Sequence, residues 1–129
     1  MRRQRFMGAS KYHSTKIDSA DGKFDSATEY QRWCYLKVLE ASGEIQNLVR
    51  QVPYTLIPSQ FKDGKCIFRE CKYTSDMEYD IVSTQEHIVE DVKGMVLPQF
   101  VIKRKLMYYK FGVFVKVVKK GRNGTWIED

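Results

Sequence analysis

An α/β fold with a mixed central sheet flanked by helices is what this sequence predicts. Three observations carry that expectation. Helical and strand-like stretches follow one another in the order helix, strand, strand, strand, helix, strand. The earlier strands are separated by loops and turns, as in hairpins, whereas the last is reached across a helix, as in a crossover. At 129 residues, 43% of them hydrophobic, the chain is long enough for one domain, 1–129, with a real core.

Taken in order, residues 1–10 read as a mobile basic arm. Ser19-Ala20-Asp21-Gly22 is a turn between two short strands, because Asp-Gly favours a tight hairpin. Ser26-Ala27-Thr28-Glu29 opens the first helix, and Gly43 stops it after about Ser42. Tyr30, Trp33, Cys34, Leu36, Val38, Leu39 and Ala41 go most of the way round, which predicts a substantially buried helix. Glu29, Trp33, Leu36 and Glu40 fall on one stripe of it. Val49 to Ile57 reads as one strand, with Pro53 hinting at an edge or bulge. Pro58 to Gly64 reads as a loop, and Lys65 to Tyr79 as one long or bent strand. A turn at Ile81 to Gln85 leads to a strand over Glu86–Val92. Pro98 opens the second helix, along which Gln99, Ile102, Leu106 and Tyr109 recur at helical spacing. Val113 to Val118 alternates as a final strand, and 119–129 reads as a flexible basic tail.

Composition narrows the function. No apolar run approaches the roughly 20 residues of a membrane helix. The basic N-terminus lacks the apolar core of a secretory signal, so the expected compartment is the cytoplasm and no membrane partner is expected. Cys34, Cys66 and Cys71 have no CxxC spacing and are odd in number, which predicts reduced thiols. The net charge of +6 is unevenly spread. Residues 1–16 carry five Lys/Arg and no acid, residues 93–127 carry nine and no acid, and the middle holds 14 of the 16 acids. Basic flanks suit a polyanion, whose counterions are released on binding, although a plain solvated surface has the same composition. On or near the second helix Lys103, Arg104, Lys105 and Lys110, with Tyr108 and Tyr109 interleaved, read as phosphate contacts, with an ordinary solvated face as the alternative.

An acidic cluster between basic flanks needs a cation. Along the strand ending at Val92, His87, Val89, Asp91 and Lys93 share one face and Ile88, Glu90 and Val92 the other. If Ser83-Thr84 is a two-residue turn, Asp76 lies directly opposite Asp91, with Cβ atoms roughly 5 Å apart. Two carboxylates so placed repel unless something neutralises them, and Mg²⁺ does so. A slipped register would bring Asp80 instead, and Glu78 shares the face of Asp76. Glu29 has two readings as well: it completes a capping box with Ser26, or it is a third carboxylate aimed at the hairpin.

The chain resembles the PD-(D/E)XK nuclease superfamily, and within it small phage-encoded endonucleases. The resemblance rests on Lys11-Tyr12, Gly22 to Ser26 leading into Glu29, Gly43-Glu44-Ile45, Gln51-Val52-Pro53, Tyr73 to Tyr79, Val89 to Gly94, and Phe100 through Lys103 to Lys105-Leu106. It implies a restriction-endonuclease-like αβββαβ core and a Mg²⁺-dependent endonuclease, with Mn²⁺ able to substitute. Asp76, Asp91 and Glu29 would then be metal ligands, Lys93 the catalytic lysine and Gln51 a site-lining residue. Lys11 joins the residues expected at DNA. Similar phage enzymes resolve four-way (Holliday) junctions, which implies a homodimer making paired cuts in the cytoplasm of a bacterial host. A structure-nonspecific recombination nuclease, or a non-catalytic DNA-binding module on the same fold, is the alternative. Two positions depart from the family pattern: Ser75 stands where proline is usual, and Asp91 where glutamate is commoner.

Overall fold

The computed structural model describes residues 16–129. The N-terminal arm (1–10) and Lys11 lie outside the described residues. In chain order the elements are β1 (Ile17–Ser19), β2 (Gly22–Phe24), α1 (Ala27–Ala41), β3 (Ile45–Arg50), β4 (Pro53–Ile57) and β5 (Gln60–Lys62). There follow β6 (Lys65–Phe68), β7 (Cys71–Thr74), β8 (Met77–Ile81), β9 (His87–Val92), α2 (Pro98–Phe111), β10 (Lys116–Lys120) and β11 (Trp126–Glu128).

Five strands form the central sheet in the order β11-β10-β9-β8-β3. β9 and β10 run parallel, joined across α2, and the other neighbours are antiparallel. The class is therefore α/β with a mixed sheet and two helices, and four further strands, β4 to β7, intervene between β3 and β8.

Alternation along β9 separates two cores. Val89 packs with Phe100, Met107, Val117, Leu56 and Tyr73 on the α2 side. Ile88 and Val92 pack with Trp33, Leu36, Ile45, Met77 and Tyr79 on the α1 side. The β1–β2 hairpin closes within the expected Ser19–Gly22 stretch, through Ala20-Asp21 with Ser19 paired to Gly22. Gly22 takes φ +109°, and a Cβ there would meet Arg50 Nη1 at 3.1 Å. Arg50 also stacks its guanidinium 3.7 Å from the centre of the Phe24 ring, tying the hairpin to β3.

Several expectations change. The strand over Val49–Ile57 is two strands, because Gln51 turns the chain at φ 56°. β3 pairs with β8, and β4 leaves the sheet to pair with β7. Pro58–Gly64 is not a loop: β5 and β6 pair through Asp63-Gly64, both at positive φ, the geometry of a two-residue hairpin turn. The long strand over Lys65–Tyr79 is three strands. The tail 119–129 is not flexible, since Lys120 pairs with Trp126 and Val118 with Glu128 in the β10–β11 ladder.

Helix α1 begins and ends as expected: Ser26 Oγ accepts the Glu29 N–H at 3.1 Å. It is not substantially buried, however. Only the face carrying Glu29, Arg32, Trp33 and Leu36 is covered, and Val38 is 66% exposed. Helix α2 starts on Pro98 and ends on Gly112 at φ 69°. Its buried residues are Phe100 and Met107, while Ile102 and Tyr109 of the marked stripe face outward. Among the described residues, no helix is long and apolar enough to cross a membrane.

Candidate active site

Turn geometry sets the register on which the site depends. The β8–β9 turn is a four-residue loop, with Gln85 at φ 62° and Ile81 N–H donating to Glu86 O at 2.9 Å. Beyond it the pairing matches what a two-residue Ser83-Thr84 turn would give: Asp80 faces His87 and Met77 faces Glu90. Continued by one pair, that register puts Asp76 opposite Asp91. Asp76 in fact straddles its neighbour. Its N–H donates to Glu90 O at 3.2 Å, and its Oδ2 accepts the Val92 N–H at 2.8 Å.

Ser75, where the resemblance leads one to expect proline, is fully buried and uses groups proline lacks. Its N–H donates to Val52 O at 3.0 Å and its Oγ donates to Glu78 Oε2 at 2.8 Å. Hydrogen bonds thus fix the residue before Asp76.

A cleft of about 720 Å³ opens where β8 and β9 diverge, and Glu29, Asp76, Asp91, Lys93 and Lys103 all line it. Asp91 is 3% exposed. Its Oδ1 lies 3.0 Å from Lys93 Nζ, and its Oδ2 accepts from Tyr73 OH at 2.6 Å. Lys93 Nζ also sits 4.4 Å from the centre of the Phe100 ring, which restricts the ammonium to the cleft side.

Glu29 performs parts of both sequence readings in one conformation. Its Oε1 accepts the Asp25 N–H at 3.2 Å, one residue upstream of the expected capping-box partner, and its buried Oε2 has no partner.

Electrostatics mark the same place. Burial raises the Asp76 pKa well above the carboxylate norm, helped by the charges of Asp91 and Glu29 and opposed by the Val92 N–H and Lys93. Burial likewise raises Glu29, with Asp91 adding to the effect. Burial and the adjoining Asp91 carboxylate push the Tyr73 hydroxyl up, so it remains a donor to Asp91. Three mutually repelling acids and an orphaned buried carboxylate oxygen form a donor set suited to a hard cation. Among the described residues, no group of three His, Cys, Asp or Glu side chains is close enough together to hold a metal ion; an ion bound here would have to keep waters in its shell, as Mg²⁺ does.

Other expected residues lie elsewhere. Gln51 does not line the cleft; it holds the kink before β4, its N–H donating to Asp76 O at 3.1 Å. Arg104 is occupied with Val115 O at 2.8 Å and Asp129 O at 3.2 Å. Lys105 borders an apolar groove on the far side of α2, with Tyr108, Tyr109 and Phe114. The sequence reading missed Tyr73 and Lys72, which line the cleft from β7. Strand alternation into the acid motif would have put Tyr73 on the face opposite Asp76, and it is the break between β7 and β8 that brings it to Asp91.

Glu78 and Asp80, the alternative acids, belong to a separate network. Glu78 accepts from Tyr54 OH at 2.6 Å and lies 2.9 Å from His87 Nε2. His87 Nδ1 is 2.6 Å from Asp80 Oδ1, and Asn47 donates to Asp80 Oδ2. The hydrogen bond to Asp80 is the main cause that raises the His87 pKa, and bonds from Asn47 and His87 lower that of Asp80. A raised imidazole contributes stability below its unfolded pKa and loses it as pH rises through the folded value. The depressed Asp80 loses its contribution as pH falls through its folded value. Thermal unfolding of wild type and His87→Gln should therefore differ most between the carboxylate and imidazole ranges. The two curves should converge as pH climbs past the raised imidazole pKa.

These features define an α/β protein with an acidic, lysine-bearing cleft at the end of a mixed sheet. The chain belongs to the family described as "Protein of unknown function (DUF1064)", whose model matches residues 9–127. No curated protein and no solved structure matches it.

Proposed function

We propose that this protein is a metal-dependent DNA endonuclease on a restriction-endonuclease-like core, cutting branched DNA such as four-way junctions as a homodimer. The observation that carries the reading is the convergence of Glu29, Asp76, Asp91 and Lys93 on one cleft edged by Lys72 and Lys103. Asp76, Asp91 and Glu29 would hold Mg²⁺, or Mn²⁺ in its place. The chemistry supplied by such an ion is Lewis acidity toward phosphate oxygens and acidification of water.

The chain's own groups do the rest. Tyr73 and Lys93 grip one Asp91 oxygen each, which fixes the carboxylate in one orientation. The Lys93 ammonium is placed to orient a water for attack on phosphorus and to offset the negative charge that grows there. Lys72 and Lys103 stand at the rim to position flanking phosphates. Attack forms the new P–O bond as the bond to the leaving sugar oxygen breaks, and that oxygen takes up a proton.

Incubation with a four-way junction and with a matched linear duplex, each with Mg²⁺ or Mn²⁺, tests this. Faster cutting of the junction is expected. If junction, plasmid and single-stranded DNA all stay intact, the protein is not a nuclease. Gel filtration checks the dimer, because paired cuts need two active sites.

A further inference from the structure

We propose that the β5–β6 hairpin is an arm that lies along the backbone of the DNA beside the cleft. The proposal rests on the nuclease reading for where the DNA sits. The arm continues the β4–β7 pair, which is anchored in the protein. Leu56 and Tyr73 are buried in the α2-side core, and Lys110 Nζ donates to the carbonyls of Thr55 and Leu56 at 3.0 and 3.3 Å. Between the two pairs, the Glu70 N–H donates to Ser59 Oγ at 3.1 Å. β7 then runs along the cleft wall, and Asp76 follows two residues after it. The arm is thus joined by a short, hydrogen-bonded path to the proposed metal ligands.

Beyond Ser59 the strands touch little but each other. Every residue of β5 and β6 is exposed, including Phe61 at 66% and Phe68 at 61%. A two-stranded hairpin with no covered face is marginal in water and is expected to find a partner. Charge chooses among partners. Lys62 faces Lys65 directly at the tip, a like-charge pair that the single carboxylate of Asp63 in the turn offsets only in part, so an anion lying across it is favoured. Lys65, Arg69 and Lys72 continue toward the cleft over an extended path of up to about 23 Å, with Lys72 Nζ 3.4 Å from the carboxylate of Glu70, the one acid between them. That reach follows about two-thirds of a turn of duplex. A second copy of this chain, with net charge +6, would add to the repulsion at the tip instead of relieving it. A polyanion relieves it, and Phe61 and Phe68 supply apolar surface to sugars or to a base step.

The test is DNA binding by Lys62→Ala/Lys65→Ala and by Phe61→Ala/Phe68→Ala. Both are made in the Lys93→Ala background, with fluorescent junction and duplex at several salt concentrations. The lysine pair variant should bind roughly tenfold more weakly at low salt, with a log Kd against log salt slope shallower by about 2. The phenylalanine pair variant should weaken binding with the slope unchanged. Thermal unfolding should move little for either, since these residues pack on nothing. Unchanged affinity and slope in both variants would overturn the arm while leaving any observed cutting, and the nuclease reading, intact. DNA bound in this way but never cut by the Lys93-containing protein would sink the nuclease reading and uphold the arm. A wild-type dimer that the hairpin variants split on gel filtration, with DNA affinity preserved, would make the arm a contact between protomers and overturn the proposal.

Discussion

Replacing Lys93 with alanine is expected to slow DNA cutting at least about 100-fold while leaving metal and DNA binding in place. The reason lies in what the ammonium touches. Nζ is 3.0 Å from Asp91 Oδ1 and held over Phe100, and its charge also opposes the rise of the Asp76 pKa. Removing it leaves Asp91 its hydrogen bond from Tyr73 and leaves the three acids where they are. Asp91→Asn is the contrasting variant. It keeps the shape and can still accept from Tyr73, but it removes one of the charges that raise the Asp76 and Glu29 pKa values. The metal-free Asn variant should therefore be no less stable than wild type at neutral pH. Mg²⁺ should stabilise wild type and Lys93→Ala alike, by about 2.7 kcal/mol at 100 times the Kd. It should do little for Asp91→Asn. Thermal shift with and without Mg²⁺, beside single-turnover cutting, separates a catalytic lysine from a ligand. If Lys93→Ala cuts at the wild-type rate, the site as assigned is wrong.

What the sequence made legible follows the physics that shapes sequence. Alternation along β9 was readable because each face of that strand is covered by a different core, so Val89 and Asp91 part from Ile88 and Glu90. The meeting of Asp76 and Asp91 followed from that alternation plus a hairpin register, which the four-residue turn preserved. Helix ends were marked by Ser26, Gly43 and Pro98, residues with a specific backbone task. The hairpin arm was not legible, although Asp63-Gly64 carries the same turn signal as Asp21-Gly22. Strand periodicity is imposed by burying one face, and neither face of β5–β6 is buried. Nor was the kink at Gln51, since positive φ without glycine leaves little trace in sequence. Lys103 and Arg104 look alike in sequence, yet α2 turns one to the cleft and the other to Val115 O. One helical step decides that, and the packing of Phe100 and Met107 sets the phase.

Arg32→Ala is expected to cost about 3–5 kcal/mol, the usual penalty for breaking a buried ion pair by removing one partner. Arg32 lies in the middle of α1 and, although arginine is rarely buried unless paired, it is 1% exposed. Its Nε and Nη2 grip Glu90 Oε1 and Oε2 at 2.6 and 3.0 Å, and Glu90 is completely buried. Burial acts against the guanidinium charge, but the hydrogen bonds and charge of Glu90 more than offset it and lift its pKa above the arginine norm. Tyr79 OH donates to Glu90 at 2.8 Å, and Lys116 Nζ stands 3.8 Å away, closer to Glu128. Without Arg32, those two groups are left to compensate a carboxylate sealed from water. Denaturant unfolding should show the loss, with Tm falling on the order of 10 °C. Arg32→Met/Glu90→Leu should recover most of it, because an apolar pair leaves no buried charge unmatched. The pair also bears on the cleft. Glu90 precedes Asp91, and its carbonyl accepts the Asp76 N–H, so a strand shifted by an unpaired Glu90 carries both acids with it. Cutting should therefore fall in Arg32→Ala at temperatures where the protein is still folded, and return in the double variant. If activity stays lost in a double variant that is as stable as wild type, the charges themselves act on the cleft through the sheet, and Arg32 is more than a fold determinant.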